Sequence, residues 1–166
     1  MLLLSTYIFA LSLTKPGKWW QLFNIEIRRM AKKQTNELSG ILSEADLSAY
    51  CPDLPNWPRS WCFDDPDLIP GTQIVEVFKP FLRHMLTLDL TRATRNRHRD
   101  NLWLLGGEII RDINETPKLR KRPADALIRK SIIGGQGPSI YHCTSDAEQR
   151  SFDSTCRKLH RFLTEP

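Results

Sequence analysis

Several signals are missing from this chain of 166 residues, and each absence removes a class of protein. No apolar run approaches the roughly 20 residues that a membrane-spanning helix needs. No stretch sustains the apolar–polar alternation of a half-buried strand, so sheet architectures find no support. The four cysteines, Cys51, Cys62, Cys143 and Cys156, include no Cys-x2-Cys knuckle. Adjacent His142 and Cys143 can hardly both reach one tetrahedral ion alongside Cys156 and His160, so no metal site is expected. A chain this long and apolar needs no disulfide framework, and its thiols are expected to be reduced and buried. A carboxylate pair, a Ser-His-Asp set and a phosphate-cradling glycine loop are also missing. Nothing therefore argues for catalytic residues, a cofactor or a small-molecule substrate.

The opening residues lack what an exported protein needs. Met1–Leu13 is an uncharged run without a basic stretch before it or a small-x-small cleavage site after it. Met30 is followed by Ala-Lys-Lys-Gln-Thr-Asn-Glu, a polar opening suited to a cytoplasmic protein. The expectation is that the native protein begins at Met30 and that residues 1–29 are a non-native or disordered extension.

What is present is positive charge in one place. The formal charge is only +5, but residues 83–130 carry twelve Lys/Arg against six Asp/Glu, whereas residues 31–82 carry four against eight. Such asymmetry favours a localised basic face that attracts a polyanion. A solvated helix surface is the plainer alternative.

The chain reads as all-α, a compact bundle of four or five helices behind a Pro/Trp-rich N-terminal segment. A polar and Pro/Trp-rich arm is expected over 30–71 and a helical domain over 72–166. Five prolines between Cys51 and Gly71 exclude a long helix there, and Trp57 and Trp61 read as a hydrophobic clasp rather than a base-stacking platform. From Thr72, the residues Ile74, Val75, Val77, Phe78, Phe81, Leu82, Met85 and Leu86 recur at helical spacing, with a kink expected at Pro80. A second helix runs from an N-cap at Thr91 to about Ile113 and buries Thr94, His98, Leu102, Leu105, Ile109 and Ile113. Arg97, Asp100, Glu108 and Arg111 face away. Gly106-Gly107 marks either a break or a very close crossing. The apolar residues stay in phase across the pair, which favours continuity. Pro123 opens a helix reaching Ile133, and Ser145-x-x-Glu148 caps the last one, which buries Phe152, Cys156, Leu159 and Leu163.

The most specific stretch is Leu90–Leu105. It places Arg92, Arg95, Arg97 and Arg99 in the first turns of a capped helix, followed by an apolar Leu102-Trp103-Leu104-Leu105. Its pattern Leu90-Thr91-x2-Thr94-x3-His98-x3-Leu102-x2-Leu105, behind Phe78-x2-Phe81-Leu82, resembles the phage-integrase-like core-binding domain of tyrosine recombinases. That family shows Leu-Ser-x2-Thr-x3-Tyr-x3-Leu-x2-Phe, so Thr91, His98 and Leu105 depart from it. The resemblance implies a helical module that clamps duplex DNA. The recombinase catalytic Arg, His-x2-Arg and nucleophilic Tyr have no counterparts after residue 113, so the module comes without the chemistry. Thr94, His98, Asn101 and Leu102 also fall in register with the recognition helix of LuxR-type regulators, where Arg95 replaces an apolar residue. His98 by itself reads first as a partly buried core histidine. Ile133-Gly-Gly-Gln-Gly-Pro-Ser-Ile140 fits the Ile-Gly-x2-Gly-x2-Ile signature of KH domains, but Gly135-Gln136 is neutral, and an interhelical loop is the better reading. His98-Arg99-Asp100 echoes a kinase catalytic loop without any nucleotide-binding lobe.

These readings converge on a cytoplasmic, non-enzymatic DNA-binding accessory or regulatory protein, linked to a mobile element. Arg92, Arg95, Arg97 and Arg99 are the expected contacts to duplex DNA, with Lys118, Arg120, Lys121 and Arg122 as a second phosphate contact. The rival is a helical protein–protein interaction subunit whose basic residues are ordinary surface. Geometry discriminates, because docking on DNA wants both basic clusters on one continuous face.

Overall fold

A computed structural model describes residues 44–140 and 145–165. The expectations for residues 1–43, and for His142 and Cys143 as ligands, lie outside the described residues. The chain is all-α. Six α-helices are described: α1 (Glu44–Tyr50), α2 (Trp57–Trp61), α3 (Leu68–Thr87), α4 (Arg92–Glu115), α5 (Ala124–Ser131) and α6 (Asp146–Thr164). Short 3-10 turns at Leu54–Asn56, Asp65–Asp67, Pro117–Lys121 and Ile133–Gly135 complete the connections. No strand occurs among the described residues.

Helix α3 begins at Leu68, four residues before the expected Thr72. Pro70 permits this because it falls in the first turn, where a backbone N–H has no intrahelical partner to lose. The helix continues across Pro80, which lies on the exposed face. Ile74, Val75, Phe78, Phe81, Leu82 and Met85 form the buried stripe that the spacing predicted.

After the short connection Leu88–Thr91, helix α4 starts on its expected cap: Thr91 Oγ1 accepts from the Thr94 N–H at 3.2 Å. It then runs without a break for 24 residues, so the phase argument across Gly106-Gly107 holds. The close neighbour at the pair is a ring rather than a crossing backbone. A Cβ at Gly106 would stand 2.3 Å from Cζ2 of Trp61, whereas one at Gly107 would meet the same ring at an ordinary 3.4 Å. Trp61 thus seats its indole directly on α4, and only hydrogen at Gly106 leaves room.

His98, Leu102, Leu105, Ile109 and Ile113 are buried as expected, but the stripe is wider than one face. Asn101 and Ile110 are buried too, and so is Glu108, which the spacing had turned to solvent. The reason is position, since α4 is packed on by α2, α3, α5 and α6 together. Glu108 forms an ion pair with Arg111 one turn on, so the buried carboxylate keeps a counter-charge.

The Pro/Trp-rich stretch contributes to this core rather than standing apart from it. Leu47, Cys51, Leu54, Trp57 and Trp61 join the same apolar cluster as the stripes of α3 and α4. The Trp57 and Trp61 rings lie 5.7 Å apart, and Trp57 Nε1 donates to Asp53 Oδ2 at 3.0 Å. Both are packing residues, as the clasp reading required.

Between α5 and α6 the Ile133–Ile140 segment is an interhelical loop. Gly134 and Gly135 take positive φ (69° and 76°) just past the end of α5, the backbone turn that glycine tolerates best after a helix. Helix α6 opens on Ser145, whose Oγ accepts from the Glu148 N–H at 3.3 Å. It buries Phe152, Cys156 and Leu159, leaving Leu163 half-buried.

Candidate nucleic-acid interface

Two side chains of α4 orient α6 against it. His98 Nδ1 lies 2.8 Å from Thr155 Oγ1, and Asn101 Nδ2 donates to the same oxygen at 2.8 Å and to the Ser151 carbonyl at 3.1 Å. Rising numbers on α4 meet falling numbers on α6, so the helices are antiparallel. The C-terminal half of α6 therefore lies beside the arginine-rich start of α4. His98 is a buried member of this polar network, which answers its first reading as a core histidine. Burial, then the nearby charges of Lys158 and Arg97, hold its pKa below the ordinary 6.5. His84 is lowered by burial and by Lys158 as well. Both rings are accordingly neutral near pH 7.

Lys158 lies one turn beyond Thr155 on α6 and faces His84 and His98, so basic groups from two helices lie at the starting end of α4. Lys158 was not legible as a member in the sequence, since its place depends on the α4–α6 pairing.

Of the four arginines, Arg92 and Arg97 are exposed while Arg95 and Arg99 are half-buried. Arg99 is committed to the fold. Its Nε and one Nη donate to Asp100 Oδ1 at 2.9 and 2.7 Å, and the other Nη donates to the Tyr50 carbonyl at 3.3 Å, closing the end of α1. Tyr50 answers by donating its hydroxyl to the Arg95 carbonyl at 2.5 Å, and burial pushes its pKa up to about 12. Arg92, Arg95 and Arg97 make no ion pair or side-chain hydrogen bond among the described residues. A cleft of about 570 Å³ opens between α1, the end of α3 and the start of α4, and Arg92, Arg95, Asn96 and Arg99 line it. Arg97 is not among its lining residues.

The second cluster lies elsewhere. Helix α4 is about 36 Å long at 1.5 Å per residue, and Lys118, Arg120, Lys121 and Arg122 follow its far end. Arg120 is half-buried and tied to an acid of the fold. Its Nε and an Nη donate to Asp67 Oδ1 at 3.1 and 2.7 Å, and Asp67 has no exposed surface at all. Asp67 Oδ2 also accepts from the N–H groups of Phe63 and Asp64, at 3.2 and 3.1 Å. Burial opposes ionisation of this carboxyl, but the Arg120 and backbone hydrogen bonds together outweigh it and lower the pKa. Lys118, Lys121 and Arg122 are exposed. The structure thus sets Arg92, Arg95, Arg97 and Lys158 at the starting end of the α4–α6 pair, with Arg92 and Arg95 on the cleft and Arg97 off it, and sets the Lys118–Arg122 group at the other end of α4.

No group of three His, Cys, Asp or Glu residues able to hold a metal occurs among the described residues. Cys51 and Cys156 are buried thiols, each pushed by burial to a pKa of about 12, and Cys62 is a half-buried free thiol. No described helix is long and apolar enough to cross a membrane. Comparison with known proteins finds no matching family model, no matching curated protein and no matching solved structure.

Proposed function

We propose that this chain is a cytoplasmic, non-enzymatic DNA-binding accessory protein that docks on duplex DNA with the first turns of α4. One observation carries the reading. Arg92, Arg95 and Arg97 are unpaired among the described residues, and Lys158 joins them from α6. Unpaired cations also lie beyond the far end of α4, in Lys118, Lys121 and Arg122, but the starting end sets three unpaired arginines in the first two turns of one helix, while six other arginines of the chain are ion-paired. A polyanion supplies the missing charge, and phosphates are the usual partners of such guanidinium groups. The likeness of Leu90–Leu105 to the recombinase core-binding pattern belongs to the same reading, with a mobile element as the context and no recombination chemistry in this chain.

The test is a fluorescence-anisotropy titration of the full chain against random duplex at several salt concentrations. Neutralising about four phosphates gives a slope near −3.6 for log K against log salt. A salt-independent signal, or no binding at low salt, removes the proposal. A second reading, a protein–protein interaction subunit, draws on the separation of the two basic clusters to opposite ends of α4. It gains if the duplex does not bind.

A further inference from the structure

The cleft at the start of α4 is open to solvent and is lined from two sides. One wall carries Arg92 and Arg95, spaced so that both project from the same face of the helix. The other wall carries the Tyr50 ring, Pro52 and Leu86 beside Asp46. Its volume of about 570 Å³ gives room for a ligand of nucleotide size, held in an open groove rather than enclosed.

Charge decides what kind of ligand fits. Arg99 is already balanced by Asp100 and fixed on the Tyr50 carbonyl, so it holds the wall in place without offering a free fork. Asp46 is the one acid among the lining residues. Two guanidinium groups therefore remain without an ion-pair partner among the described residues, one of them half-buried. A phosphate monoester carries a charge of about −1.5 to −2 near pH 7 and three free oxygens, whereas each internal phosphate of a strand is a diester. We infer that this cleft is a binding site for a phosphate monoester on an organic body of nucleotide size, gripped by Arg92 and Arg95 with the body against Tyr50, Pro52 and Leu86. The same group comes either from a free phosphorylated small molecule or from the phosphorylated end of a nucleic-acid strand. The inference stands independently of duplex docking, which uses the outer face bearing Arg97 and Lys158 as well.

Isothermal titration of the full chain tests it with AMP, adenosine, and short single strands bearing either a 5′-phosphate or a 5′-hydroxyl. AMP is expected to bind, adenosine to bind at least about tenfold more weakly, and Arg92→Gln/Arg95→Gln to lose about tenfold or more in AMP affinity. Lys118→Gln/Lys121→Gln serves as the control and leaves AMP affinity unchanged, with circular dichroism confirming that both variants fold. Preference for the 5′-phosphorylated strand over both its 5′-hydroxyl counterpart and AMP assigns the strand end as the source, and preference for AMP over the strands assigns the free small molecule. The inference is overturned if neither phosphorylated probe binds, if adenosine matches AMP, or if the double arginine variant binds AMP like the native chain. Binding of a 5′-hydroxyl duplex, measured separately, reports on the docking proposal alone.

Discussion

Single residues in this molecule are set by what lies directly against them, and two of them give direct tests. Gly106 and Gly107 are neighbours in sequence, yet only at Gly106 does the Trp61 ring leave no room for a Cβ. Gly106→Ala is expected to destabilise the fold by about 1–3 kcal/mol through overpacking, while Gly107→Ala gains helix propensity and is neutral or slightly stabilising. Urea unfolding of the two variants checks this; equal effects would contradict the seat assigned to Trp61. His84 and His98 are the second case. Both have folded pKa values lowered from 6.5 by burial and by Lys158. The unfolded chain therefore takes up protons that the folded one refuses as pH falls through 6.5. Stability is highest above that value and declines below it until the folded-state pKa values are passed. The His84 ring stacks on Phe162 with centroids 5.2 Å apart, so His84→Phe keeps the ring contact and removes one titrating group. Its unfolding free energy should fall less steeply between pH 7 and 5 than that of the native chain.

Pairing between elements depends on ties that no periodicity announces. The Asp67–Arg120 pair fixes the turn after α4 to the residues that lead into α3. Arg120→Ala leaves Asp67 charged and buried, and removing one partner of such a pair costs about 3–5 kcal/mol. Thermal unfolding should show that loss without any change in DNA affinity; an unchanged melting temperature with weakened DNA binding would return Arg120 to the interface. The sequence showed Arg120 only as one member of a basic run, because Asp67 is 53 residues away. What was legible was local. The α3 and α4 stripes, the Thr91 and Ser145 caps, and the interhelical loop at Gly134 all follow from spacing and backbone chemistry. Burial of Glu108 was not, because it depends on how many helices surround α4. The candidate site divides the same way. Its arginines were evident from the sequence, while the cleft wall at Tyr50 and the neighbouring Lys158 come from α1 and α6, whose placement is tertiary.

At the scale of the whole described unit, α4 acts as an axis with cations at both ends, and the ends are not equivalent. The starting end has three unpaired arginines plus Lys158; the far end has Lys118, Lys121 and Arg122, with Arg120 turned inward to Asp67. The length of α4, about 36 Å, is close to the roughly 34–36 Å of one duplex turn. Two arrangements on DNA are thus open to the geometry: docking by the starting end alone, or α4 lying along the duplex with both ends on phosphates. The first follows from the stronger cluster and the proposed docking by the first turns of α4. Each phosphate contact contributes about 0.9 to the salt slope. Arg92→Gln/Arg95→Gln/Arg97→Gln should therefore flatten it by about 2.7, and Lys118→Gln/Lys121→Gln/Arg122→Gln by less than about 1. Equal flattening by the two triple variants would establish the lengthwise arrangement instead. Flattening by the far-end variant alone would move the interface away from α4's first turns and leave the arginine cleft with only its small-ligand role.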